Sequence, residues 1–292
     1  MVDPASSNPR CLRLGVYRLH PPYNAFLSVG DPATLEATPL TRGTILVLGV
    51  EQVPPMAAAA LDSPENREIA TLGAGLKSSQ LAPALVDRVR HLRSRFPAHP
   101  IVLRLGSVSE RYAVEIGRLA AEHRVRGILI DGEDVEASLR RQLTGREHLV
   151  EDFLAWLSCC TVRLSDFSRF VIERIFRAAL QHEPLSKTVR QLGVGSESTI
   201  RDRFRIEGLP SPRKWRRLAE ALYAVLWIQR ETGSLFAQAR ELGYSDASAL
   251  SHQLAGVFSA RPGTIRQTIG WEWWAHVWLL NRKARGEFPR EC

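Results

Sequence analysis

The sequence predicts a two-domain protein. An α/β domain with a parallel sheet spans residues 1–145, a helical linker spans 146–164, and an all-α domain spans 165–292. Three observations predict this. Apolar, β-branched runs alternate with helix-period segments in the first half. In the second half Leu185 to Arg217 recurs as Leu235 to Gln267, a repeat that marks a duplicated supersecondary unit. At 292 residues and 45% hydrophobic, the chain has enough apolar surface to bury a core in each domain.

In the first domain the strand candidates are CLRLGVY (11–17), TILVLGV (44–50), PIVLRLG (100–106) and RGILIDG (126–132). The helix candidates are LAPALVDRVRHLRSRF (81–96) and ERYAVEIGRLAAEH (110–123). Strand and helix alternation assembles most simply into a parallel sheet covered on both faces. The order of elements, with the closing AVEIGRLAAEHRVRGILIDG, resembles a response-regulator receiver domain. The resemblance implies a phosphoacceptor Asp at the end of the third strand, an acidic pair after the first to hold Mg²⁺, and a Lys after the fifth. In this sequence the acceptor position is Gly49, RLHPPYN follows the first strand, and Asp131 stands at the Lys position. The domain therefore reads as a degenerate receiver, controlled without aspartyl phosphorylation. Glu51, Asp131, Glu133 and Asp134 form either an acidic cluster at strand ends or ordinary solvated loop charges. The Gly-rich LGAGLKSS (72–79) lacks both GxxxxGK[ST] and GxGxxG, so it reads as a loop. No nucleophile, base and orienter occur at a recognisable spacing, so neither an enzyme nor a cofactor is expected.

The linker segment EHLVEDFLAWLSCC (147–160) carries an apolar stripe at Leu149, Phe153, Trp156 and Leu157, helical in period. The stripe either docks the two halves or joins two copies of the chain.

Each copy of the repeat reads as helix, tight turn, helix. Gly193 and Gly243 suit the left-handed position that ends a helix, and Ser196 and Asp246 suit the cap that starts the next. Apolar pairs four residues apart, Ile200 with Phe204 and Leu250 with Leu254, turn one side of each second helix inward and free the other. Between the copies PRKWRRLAEALYAVLWIQRETG runs from Pro212 to Gly233, with Trp215, Leu218, Leu222, Val225, Leu226 and Ile228 facing in. A helix of that length spans close to 30 Å, against the ~34 Å of one B-DNA turn, so the two free faces suit successive major grooves.

Charge divides unevenly. Residues 151–292 hold 21 Lys/Arg against 15 Asp/Glu, a net +6 of the chain's +8. From Leu185 to Arg217 there are nine basic residues against three acidic, whereas Asp246 to Ala260 contains no Lys or Arg. The first copy and the start of the connecting helix would meet phosphates through Lys187, Arg213, Lys214, Arg216 and Arg217. The second copy would read base edges with uncharged donors such as Ser251, His252 and Gln253. The alternative is a helical bundle with solvated basic faces.

GVGSESTIRDRFRIEGLPSPRKW and ARELGYSDASALSHQLAGVFSARPGTIRQ resemble the two helix-turn-helix units of the AraC family of bacterial transcription regulators. The resemblance covers Phe167 to Trp271. It rests on Ile200, Phe204, Gly208, Pro212 and Trp215 in the first unit, and on Gly243, Tyr244, Leu250, Leu254, Phe258 and Pro262 in the second. It implies base contacts at Ser198, Arg201, Asp202 and Arg205, with Ser196 at the cap, and at Ser248, Ala249, Ser251, His252 and Gln253. The chain departs from that family by lacking aromatics at Leu250 and Leu254 and a basic pair at Ala255–Gly256.

The reading is a DNA-binding transcription regulator whose partner is double-stranded DNA. A homodimer would form through the N-terminal domain or the linker helix, and an effector would act on the N-terminal domain. A signalling adaptor, with a partner-binding first half and a weakly DNA-binding second half, is the alternative. Cys11, Cys159, Cys160 and Cys292 show no metal-ligand spacing. MVDPASSNPR lacks the apolar core of a signal peptide, and no apolar run reaches membrane-spanning length. A reduced, cytoplasmic protein is expected. The Trp-rich tail GWEWWAHVWLLNRKARGEF (270–288) reads as a packing helix rather than a membrane-surface one.

Overall fold

The computed structural model describes residues 12–18, 27–29, 44–50, 89–105, 117–118, 120–130, 135–230 and 233–288. The chain divides into two compact units: Met1–Arg95 with Pro100–Gln142, and Phe96–His99 with Leu143–Cys292. The first takes the α/β elements and the second the helices.

The first unit holds five strands: β1 (Leu12–Arg18), β2 (Leu27–Val29), β3 (Thr44–Val50), β4 (Ile101–Leu105) and β5 (Gly127–Ile130). Their order in the sheet is β2-β1-β3-β4-β5. The expected parallel pairing holds for β3, β4 and β5, with Val47 opposite Val102 and Leu103 opposite Ile128. It does not hold for β1, which runs antiparallel to both β3 and β2. The link 19–26 is shorter than the dozen or so residues that a parallel crossover needs, so β2 reverses beside β1. The longer link 30–43 then has the reach to bring the chain to the far side of β1. The sheet is therefore mixed, with three parallel strands.

Consecutive Ile45, Leu46 and Val47 are all buried, as are Val102 and Leu103, so the middle of the sheet is covered on both faces. Helical residues 89–95 contribute Val89 and Leu92 to this core, and helix α1 (Val135–Leu143) contributes Leu139. At β5 the Gln142 amide imitates a missing strand. Its Oε1 accepts from Ile128 N at 2.5 Å and its Nε2 donates to Ile128 O at 2.7 Å. A Cβ at Gly127 would stand 2.5 Å from that Oε1, so only glycine lets the amide approach. Glu51, Asp131, Glu133, Asp134, the 72–79 loop, Cys11 and Cys292 lie outside the described residues.

The second unit runs through α2 (Leu149–Cys159), α3 (Asp166–Leu180), α4 (Leu185–Leu192), α5 (Glu197–Ile206) and α6 (Pro212–Arg230). It continues with α7 (Leu235–Glu241), α8 (Ala247–Phe258), α9 (Pro262–Arg266) and α10 (Glu272–Lys283). The long helix α6 is its axis. The six residues expected to face inward, Trp215, Leu218, Leu222, Val225, Leu226 and Ile228, are all fully buried, and α3 packs along them.

Helix α2, read from the sequence as a linker, belongs to this core. Leu149, Phe153, Trp156 and Leu157 are buried, Phe153 stacks on Phe176 at 4.6 Å, and Trp156 Nε1 donates to Pro97 O at 2.7 Å. Its apolar stripe is thus consumed within the unit, and a homodimer through α2 would have to expose it again. Cys159 and Cys160 are free. The tail helix α10 is likewise built in, with Trp271, Trp274 and Trp278 buried. Among the described residues, no helix is long and apolar enough to cross a membrane.

Candidate nucleic-acid interface

Helices α4 and α5 meet at a turn whose backbone explains its sequence. Gly193 ends α4 in the left-handed region at φ 65, and Gly195 adopts φ 111, where a side chain would be strained and would press on Thr199. Ser196 Oγ then accepts from Thr199 N at 3.2 Å and caps α5. Because Ile200 and Phe204 are fully buried, the opposite side of α5 faces solvent, and Ser198, Arg201, Asp202 and Arg205 are all exposed there.

The second pair repeats this construction. Gly243 takes φ 78 between α7 and α8, and Asp246 Oδ1 accepts from Ala249 N at 2.8 Å. That bond holds the Asp246 carboxyl below the usual aspartate range. Leu250 and Leu254 are fully buried, leaving Ser248 and His252 exposed and Ala249, Ser251 and Gln253 half-exposed.

The side chains divide into those spent on the fold and those offered to solvent. On α5, Arg205 pairs with Asp202 at 3.6 Å, while Arg201 has no ion pair among the described residues. Arg203 lies over the Phe167 ring at 4.0 Å and so serves packing. Lys187 pairs with Glu183 at 3.0 Å and Arg213 with Glu197 at 2.6 Å, both cations staying well exposed. Lys214 pairs with Glu287.

Arg216 departs from its expected role. Its side chain is only 12% exposed, donating from Nε to Glu220 at 2.5 Å and from Nη1 to Glu183 O at 2.5 Å. It ties α6 to the turn before α4 and offers little to a phosphate. Its neighbour Arg217, one residue round the helix, is exposed.

Two of the uncharged donors on α8 are also engaged. Ser251 Oγ donates to Ala247 O at 2.7 Å, and Gln253 Nε2 donates to Glu220 Oε2 at 3.2 Å. Ser248 and His252 remain as the outward groups.

Sequence reasoning missed two features. Buried Gln229 holds the turn that aims α10, donating from Nε2 to Ile265 O, Thr268 O and Gly270 O and accepting from Gly270 N at 2.9 Å. A lone amide inside the apolar run AVLWIQ was the available signal. The second is a cleft of about 520 Å³ bordered by Lys214, Arg217, His252, Gly256, Arg282 and Arg285. It joins three elements distant in sequence, so no local pattern announced it.

Comparison with protein-family models, curated proteins and solved structures finds no significant match to this chain.

Proposed function

We propose that the chain is a sequence-specific, double-stranded DNA-binding transcription regulator of the AraC type. In this reading α4–α5 and α7–α8 are two helix-turn-helix units joined by α6. The observation that carries it is the shared construction of the two pairs. Each has a left-handed glycine, a capped second helix, and an inward apolar pair four residues apart that leaves an outward polar face. A bundle with merely solvated basic faces has no need of that construction twice. In this reading exposed Arg201 reads a guanine edge, and exposed Lys187, Arg213 and Arg217 neutralise phosphates. The first unit, whose mixed sheet departs from an all-parallel receiver layout at β1, is the regulatory or dimerising domain, working without a carboxylate at Gly49.

Selection of bound duplexes from a randomised library by the full chain tests this reading. Enrichment of a motif with two half-sites about one helical turn apart supports it. Enrichment of nothing above the starting pool overturns it.

A further inference from the structure

The absence of Lys and Arg from Asp246 to Ala260 leaves the second reading helix without a cation of its own. The fold places cations beside it from elsewhere. The cleft along α8 brings together Lys214 and Arg217 from the start of α6, Arg282 from the end of α10 and Arg285 from the turn after it. The carboxylate set among them is Glu287, which pairs with Lys214 and stands 3.8 Å from Arg282. Arg217 and Arg285 have no ion pair among the described residues.

The cluster is held by the core rather than by loose side chains. Trp278 and Phe288, on either side of Arg282, are buried and pack on Trp215 at 5.1 and 5.9 Å. Arg282 itself is only 14% exposed, and burial pulls its pKa down, the Glu287 carboxylate opposing that shift and the neighbouring Arg285 and Arg217 charges adding to it. Like charges gathered at such a cost are relieved by an anion. The cleft wall on α8 is open at Gly256, where an added Cβ would meet nothing within 4 Å.

We infer that this cleft is a phosphodiester-binding site. It receives the DNA backbone beside the second reading helix, with Arg217 and Arg285 as the exposed contacts and Arg282 behind them. The inference rests on the DNA-binding reading above. The tail, on this view, supplies the charge that α8 lacks.

The test uses the full chain. Duplex affinity is measured across a salt series for the wild type and for Arg217→Ala, Arg285→Ala and Gly256→Glu. Arg118→Ala, which removes an exposed cation of the first unit, serves as the control outside the cleft and should leave slope and affinity unchanged. In parallel, inorganic tripolyphosphate is titrated against the Trp278 indole signal by NMR. Each arginine variant should flatten the log–log salt slope by about 0.9, the share of one phosphate contact. Gly256→Glu, which adds a carboxylate at an open position on a helix, should weaken binding about tenfold, and Gly256→Lys should strengthen it.

If the wild type binds duplex and the cleft variants keep its slope and affinity, the inference is overturned while DNA binding stands. If no duplex binds and tripolyphosphate shifts Trp278 in the wild type but not in Arg285→Ala, the cleft takes a free phosphorylated ligand. Both the DNA source and the DNA-binding reading then fall. Silence in both titrations overturns the site altogether.

Discussion

Arg201 and His252 project from the two outward faces with different chemistry. A guanidinium makes a bidentate contact with guanine O6 and N7, worth about 1–3 kcal/mol of discrimination, whereas an imidazole makes one base-edge bond at a time. Arg201→Ala should therefore weaken binding and relax preference at one or two base pairs. His252→Ala should have a smaller effect, confined to the other half-site. Selection from a randomised library reads both, and a motif erased by His252→Ala but untouched by Arg201→Ala would reverse the assignment. Another histidine reports on stability. Burial, and then the Lys283 charge, lower the pKa of His276. Its neutral form is the one the fold accommodates, so its contribution is complete above the ordinary histidine pKa of about 6.5 and is lost as pH falls toward the lowered folded value. Denaturant midpoints should drop between pH 7.5 and 5.5, and His276→Gln should make that drop shallower. An equal drop in both proteins would remove His276 from the account.

At the scale of elements, the two turns carry testable strain and capping terms. Gly193 at φ 65 has open space around a Cβ, so Gly193→Ala costs only the left-handed backbone penalty, about 1 kcal/mol. Ser196→Ala removes the α5 cap and costs a similar ~1 kcal/mol. Thermal or denaturant unfolding of the full chain should show both losses, and a neutral Gly193→Ala would mean that the turn is not as described. These turns were legible in the sequence because their causes are local: a glycine, a capping side chain and apolar residues four apart. The inward face of α6 was legible for the same reason. The direction of β1 was not, because it depends on link length and on which strand lies beside it. Nor was the fate of Arg216. Adjacent Arg216 and Arg217 look alike in the sequence, and only the packing of α6 against the turn before α4 turns one inward and the other out. The cleft was hidden for a third reason, since its cations come from two segments about seventy residues apart.

For the whole molecule, the proposed regulation must work without a phosphoacceptor on β3, since that strand presents Gly49 where a carboxylate would be required. Incubating the full chain with acetyl phosphate should leave its mass and its duplex affinity unchanged. A phosphoryl group localised by mass spectrometry to an aspartate within residues 1–145 would contradict this. The helical unit also closes upon itself in a way that governs when it can form. Phe288 N donates to Gly208 O at 2.7 Å, and the buried Phe288 ring meets Trp215 and Trp278, fastening the end of the tail to the turn after α5. A closure across some eighty residues is slow, because the chain entropy of the loop is lost before its contacts are gained. During synthesis α5 and the start of α6 leave the ribosome long before Phe288 does. Until then the Trp215 ring lacks its Trp278 and Phe288 neighbours, so the core of the unit is completed only once its last turn has been made.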